Sequence, residues 1–395
     1  MRPSTYHSAS YVLATCMILL SGPTVTAQNK WERKADLPEV HVNAVSFSFG
    51  DYGYLGTGIS SGNGNLVYRY DPQNDKWERY SVMPGPPRDE AFCFPFKDRI
   101  IIGGGLNTLG ANDNELWEFD PVENTWNRRN DLPFHFHNRY LAIGFSINDK
   151  GYLKRPEIDD YGSLVEYDPI TDEWTRRADF PGIGVFQQVG FSLLGKGYVG
   201  LGFGDRQLTS EWWEYDPALN RWERKANFPG YQRYDAVSFT IGRRGYVGSG
   251  LNWDYGPILN DFWEYSPDTD SWSRIADCPF QTLYSSTFSI NGKGYYATGL
   301  GEYETWEYTP RINSVPTVEN PTLIHLYPNP AHDHVYVKSS WPKLDELKVY
   351  SITGTFVGSL AVKDNRIDLR SLESGLYYFV DDSGAISAGK MLVIF

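Results

Sequence analysis

Along most of the chain, apolar and small or polar residues alternate in short runs. Val45, Phe47 and Phe49 are separated by Ser46 and Ser48; Val189, Phe191 and Leu193 by Gly190 and Ser192; Val237, Phe239 and Ile241 by Ser238 and Thr240. A period of two sends successive side chains to opposite faces, so each run predicts a strand with one apolar face. A second, glycine-punctuated apolar segment follows each: GYLGTG (53–58), RIIIGGG (99–105), GYLKRP (151–156), GYVGLG (197–202), GYVGSG (245–250) and GYYATG (294–299). Turns such as INDKGY and INGKGY join the two strands. A third run ends in an aromatic–Asp–Pro step or a Ser or Thr variant of it, and a Trp opens the fourth run six residues past the Asp. Asp opens that turn through its side chain, and Pro fixes φ at the next position.

The pattern recurs. Trp31, Trp77, Trp126, Trp174, Trp222 and Trp272 are spaced by 46, 49, 48, 48 and 50 residues. Each opens a variant of one element: WERKADLP (31–38), WERYSVMP, WNRRNDLP, WTRRADFP, WERKANFP and WSRIADCP. Six repeats of four strands predict six antiparallel meanders arranged as a propeller. The first WERKADLP has no strands before it, whereas the sixth unit stops at Trp306–Pro310 without a fourth strand. The N-terminal segment is therefore expected to complete the last blade and remove two exposed edges.

The paired glycines, the Tyr-Asp-Pro step and the following Trp resemble the kelch repeat, over residues 31–310. The third unit departs from it at Lys154-Arg155-Pro156, and the sixth keeps a single Gly299 after Ala297-Thr298. The fold class expected is all-β: a six-bladed kelch-type β-propeller closed by the N-terminal strand, followed by a small C-terminal β-sandwich.

In a ring of meanders, the connections between blades and those between second and third strands emerge on one face. Here they are long and varied, as in ISSGNGN (59–65), GLNTLGANDN (105–114) and LNWDYGPILN (251–260), whereas the opposite turns are short and repetitive. Divergent loops on a common scaffold point to a binding face. Aligning the repeats places His41 and Asn43, Arg88 with Asp89 and Glu90, Arg139, Gln187 and Gln188, Arg233 and Asp235, and Tyr284 around the channel mouth. Three arginines there can converge on an anion, because guanidinium presents a fork of donors. The competing reading pairs them with Asp89, Glu90 or Asp235 as rim ion pairs. Tyr140, Trp253, Tyr255 and Tyr284 offer aromatic faces to a sugar.

Composition narrows the partners. The net charge of −13 excludes a nucleic-acid backbone, which needs a basic surface. His135-Phe136-His137 lacks a third ligand, so neither metal nor cofactor is expected. Arg2, the apolar run Tyr11 to Leu20 and Val25-Thr26-Ala27 read as an export signal over residues 1–27. Cys93 aligns with Phe47, Phe145, Phe191, Phe239 and Phe288, and Cys278 with the Leu or Phe of ADLP; both are expected as buried free thiols.

The propeller is assigned to residues 28–310 and a Pro- and Asn-bearing linker to 311–322. From residue 323 come LYPNP, LKVYSITGTFV, DLRSLESGLYYF and GKMLVIF. These closely resemble the type A C-terminal sorting domain of the type IX secretion system. The resemblance implies passage across the periplasm and outer membrane through contact with that machinery, to the surface or the medium. The function expected is an extracellular binding module for a glycan or a surface protein, acting as a monomer. The alternatives are a sugar-directed enzyme, since exported sialic-acid mutarotases share the six-bladed kelch ring, and a scaffold whose mouth arginines are all internally paired. For the enzyme, Glu90 or Asp235 beside Arg88, Arg139 or Arg233 would supply acid and base.

Overall fold

Six four-stranded antiparallel sheets follow one another along the chain of the computed structural model. The structure describes residues 29–310, except 61–63, 108–110, 112, 135–141, 156–161, 185, 205 and 255, and the strands with their adjoining segments between 325 and 394. Among the described residues there is no helix. Blade 1 comprises Val45–Phe49, Tyr52–Gly56, Leu66–Asp71 and Lys76–Val82. Blades 2 to 5 repeat the meander, with Phe92–Pro95, Ile143–Ile147, Val189–Leu193 and Val237–Ile241 as their first strands. Blade 6 has Ser286–Ile290, Lys293–Gly299 and Glu302–Thr309. Its fourth strand is Lys30–Lys34, running from Lys30 opposite Thr309 to Lys34 opposite Thr305. The expected closure by the N-terminal strand is the one observed.

The repeated residues hold blade to blade. Trp222 donates its indole N–H to Ala178 O of the preceding blade, and Trp272 to Ala226 O, both at 2.9 Å. The same alanines turn their own N–H toward the next blade's turn: Ala178 to Asn220 Oδ1 at 2.8 Å, Ala226 to Asp270 Oδ1 at 3.0 Å. Tyr215 and Tyr265 donate to those acceptors from below. The WERKADLP and Tyr-Asp-Pro elements thus recur because each supplies one half of an inter-blade clasp. Between blades the apolar faces bury clusters such as Val45, Phe47, Tyr54, Ile100, Ile102 and Phe119.

The inner strands approach closely because small residues face the axis. Ser46 Oγ donates to Thr287 O at 2.8 Å, Ser238 Oγ to Gly190 O at 3.0 Å and Thr287 Oγ1 to Ser238 O at 2.5 Å. Cys93 belongs to this ring, with Sγ 3.5 Å from Ser46 O. This corrects the alignment by one residue. Phe94 opposite Ile101 occupies the core position of Phe47 opposite Tyr54, and Cys93 faces the axis. Cys93 and Cys278 are both free thiols.

The chain divides into two compact units at Ile312/Asn313. In the second, His325–Tyr327, His334–Lys338 and Arg366–Asp368 form one sheet. Phe356–Ala361, Glu346–Ser351, Gly375–Val380 and Lys390–Ile394 form another. Val335, Val337, Leu347, Val349, Ile367 and Leu369 make a buried cluster drawn from both sheets and the segment after Asp368.

Candidate functional site at the channel mouth

Immediately before the inner strands, one residue per blade has a left-handed backbone: Asn43 (φ 53°), Glu90 (56°), Gln187 (46°), Asp235 (53°) and Tyr284 (57°). None is glycine, and bulky residues pay for this conformation. Inter-blade hydrogen bonds hold it. Asn43 N–H donates to Tyr284 O at 3.0 Å, Glu90 N–H to Asn43 O at 3.2 Å and Asp235 N–H to Gln187 O at 3.3 Å. The result is a collar of backbone around the axis, carrying five of the residues singled out from the sequence. The blade 3 equivalent, Leu141, lies outside the described residues, as do Arg139, Tyr140, Tyr255, His135 and His137.

Behind the collar, the second glycine of each pair lets the two loop systems meet. Gly58 has φ +83°, and a Cβ there would stand 2.5 Å from Val42 O. Gly250, at φ +92°, would meet Tyr234 O at 2.6 Å. Short ladders then brace the loops, pairing His41–Val42 with Ile59–Ser60 and Arg88–Asp89 with Leu106–Asn107.

Two of the three arginines turn away from the axis. Arg88 is buried and reaches Asp113 at 3.2 Å and Glu115 at 2.9 Å. Arg233, also buried, makes two bonds to Asp261 at 2.7 and 2.9 Å and a third to Ser249 O at 3.0 Å. Their side chains leave the strand two residues before the collar and lie within their own blades. They are not a convergent anion clamp, and their partners are not the Asp89, Glu90 or Asp235 weighed from sequence. His41 follows the same direction: fully buried, with Nδ1 2.6 Å from Thr57 O, and with burial pushing its pKa down. Gln188 is buried beside Gly184 and Gly202.

Among the described residues the collar carries carboxyl, amide and phenol groups. Blades 2 and 5 are opposite in a ring of six, so Glu90 and Asp235 come from facing positions. Asp235 is 6% exposed, and neither of its carboxyl oxygens has a hydrogen-bond partner among the described residues. Burial, with the Glu90 charge adding to it, pushes its pKa up to about 7. The same causes, burial first and then the charges of Asp235 and Glu90, raise the Tyr284 phenol. Asp89 is raised by burial, against a hydrogen bond from Asn43. Among the described residues no three His, Cys, Asp or Glu side chains come together as a metal-binding group.

Residues 325–394 match the secretion system C-terminal sorting domain family. N-acetylneuraminate epimerase of Yersinia enterocolitica (serotype O:8 / biotype 1B) is 27% identical over 139 residues, 31% of this chain and 34% of that protein. Beta-scruin of Limulus polyphemus is 25% identical over 159 residues, 34% of this chain and 17% of that one. The matched stretches therefore span about a third and a sixth of these relatives' own lengths. The solved structure of YjhT superposes with a TM-score of 0.58 at 17% identity, covering 71% of this chain and 98% of that one, a likeness of fold. The chain is a six-bladed β-propeller with kelch-like relatives, and its C-terminal sorting domain directs it through the type IX system to the cell surface or beyond.

Proposed function

We propose that the propeller is an extracellular binding module that takes a sugar at the channel mouth. The observation that carries this reading is Asp235: a buried carboxyl whose two oxygens have no hydrogen-bond partner among the described residues, set on the collar opposite Glu90. An unpaired buried polar group costs about 1–3 kcal/mol, and a ligand offering hydroxyl donors would recover it. Asn43 and Tyr284 add further polar groups to the same ring. With Arg88 and Arg233 committed to their own blades, a neutral polyhydroxylated ligand suits the mouth better than an anionic one.

A second reading, a sugar-directed enzyme, is favoured by one feature. A carboxyl whose pKa burial raises to about 7, facing a second carboxyl across the collar, is suited to proton transfer. Similarity to an epimerase over part of the chain agrees with it.

Thermal shift of the full chain against neutral hexoses, N-acetylhexosamines and sialic acid tests the binding. Stabilisation by a neutral sugar that disappears in Asp235→Asn and Glu90→Gln is expected. Stabilisation that survives both substitutions would remove the ligand from the mouth. An NMR assay of anomer exchange on whichever sugar binds decides between binding and turnover.

A further inference from the structure

Four blades carry a tryptophan on the third strand with an acidic residue two positions before it and an arginine on the fourth strand, and in three of them the acidic residue is Glu. In blade 2, the Trp117 indole N–H donates to Glu115 at 3.1 Å. Arg128, on the fourth strand, pairs with Glu115 at 3.0 Å and lies 5.5 Å from the indole centroid, covering the ring. Blade 4 repeats this with Trp213, Glu211 and Arg224: the indole bond is 3.2 Å, the ion pair 3.5 Å and the cation 6.0 Å from the ring. In blade 6, Trp306 donates to Glu304 at 2.8 Å, and Arg33 from the N-terminal strand pairs with it at 3.0 Å.

Blade 5 departs by one methylene, with Asp261 where the others have Glu115, Glu211 and Glu304. Glu115 is long enough to bridge Arg88 on its inner side and Arg128 on its outer side. Asp261 is held by Arg233 on the inner side and by the Trp263 indole at 2.7 Å. Arg274 pairs with Asp277, both oxygens at 2.9 Å, as Arg128 pairs with Asp131 and Arg33 with Asp36. What blade 5 lacks, among the described residues, is the further bond from that arginine to the carboxylate beside the indole. Among the described residues no cation covers Trp263. A cleft of 440 Å³ opens at that place, lined by Trp263, Arg274, Asn260, Gln281, Tyr231 and Pro257 among others.

From this we propose a second ligand site, separate from the channel mouth: the blade 5 cleft takes one pyranose ring of a neutral glycan. The ring's C–H face would lie on the uncovered Trp263, and its hydroxyls would meet the Asn260 and Gln281 amides and the Arg274 guanidinium. An amphipathic aromatic flanked by amides suits a ligand that is apolar on its face and polar at its edge. The volume is that of a small-ligand pocket, whereas a protein partner needs a broad surface.

Isothermal titration of the full chain with maltohexaose, cellohexaose, xylohexaose, mannohexaose and chitohexaose tests this. At least one should bind, and Trp263→Ala should weaken it by roughly ten-fold or more, the order expected for loss of an aromatic platform. Asp261→Glu is the fold-preserving variant. It keeps the carboxylate and gives it the length with which Glu115 and Glu211 hold Arg128 and Arg224 over Trp117 and Trp213, so it should bring Arg274 across Trp263 as in blades 2 and 4 and weaken binding comparably, with the melting temperature near the wild-type value. Binding that persists in both variants overturns the site, as does binding of none of the five. Binding lost in Asp235→Asn but kept in Trp263→Ala assigns the glycan to the channel mouth and likewise overturns it.

Discussion

The Tyr308 hydroxyl donates to Asn29 Oδ1 at 3.0 Å, although 279 residues separate them. The same oxygen accepts the Ala276 N–H at 3.1 Å. Asn29 therefore does for blade 6 what Asp270 does for blade 5, one residue ahead of a strand supplied from the other end of the chain. Trp31 follows it into a cage of Phe239, Phe262, Tyr296 and Tyr308 and donates to Ala276 O at 2.9 Å. Trp31→Ala is expected to cost roughly 3–5 kcal/mol, the range for a large buried aromatic. Asn29→Ala, losing two bonds, should cost roughly 1–3 kcal/mol. Denaturant unfolding measures both, and a Trp31→Ala midpoint equal to wild type would contradict the closure.

Arg88 and Arg233 are predicted to be stability residues. Arg88→Ala leaves Asp113, 6% exposed, and Glu115 without their inner cation. Breaking a buried pair from one side costs about 3–5 kcal/mol. Both alanine variants should melt well below wild type, and their folded fraction should keep its sugar affinity at the mouth. Wild-type stability with lost binding would restore the anion clamp.

Asp235 gives a pH signature. Its folded pKa, about 7, stands above the ordinary aspartate value of 3.8, so between those values the folded state binds more protons than the unfolded one. Its contribution to stability is thus lost as pH rises through that window. The span corresponds to at most about 4 kcal/mol. Asp235→Asn should leave the melting temperature nearly unchanged at pH 4 and raise it by several degrees at pH 8. Scanning calorimetry at the two values checks this, and a larger gain at pH 4 would reverse the assignment.

For the sorting domain, fusing residues 323–395 to a reporter with an export signal should bring the reporter to the surface of a type IX-competent cell. Protease shaving of intact cells reads the result. A reporter that stays in the periplasm would show that the segment is insufficient alone.

The ring was legible in the chain because its clasp is made of recurring residues at recurring distances. Trp opens the fourth strand of every blade, an aromatic–Asp–Pro step or its Ser or Thr variant closes every third strand, and the orphan WERKADLP announces the closure. The fate of the arginines was not legible. Arg88 and Arg233 find Glu115 and Asp261 27 and 28 residues further on, in connections whose lengths vary from blade to blade. A column comparison of Glu115, Glu211, Asp261 and Glu304 would have exposed those partners and the shortened member. The collar was hidden for another reason. Asn43, Glu90, Gln187, Asp235 and Tyr284 share a backbone conformation imposed by neighbouring blades, with no side-chain type in common. The one-residue slip at Cys93 arose because Phe92-Cys93-Phe94 offers two aromatics to one core position, and only the pairing of Phe94 with Ile101 decides between them.

The closure also fixes how the molecule bears load. The chain leaves the propeller at Thr309, the end of a strand hydrogen-bonded along both edges, to Lys293–Gly299 on one side and Lys30–Lys34 on the other. Had the last strand of the ring been the last in sequence, a pull from the C-terminal unit would have unzipped it from a free edge, one bond at a time. Drawn from between two neighbours, Glu302–Thr309 must break both ladders together, so a propeller held at a surface through its tail is tethered by an interior strand.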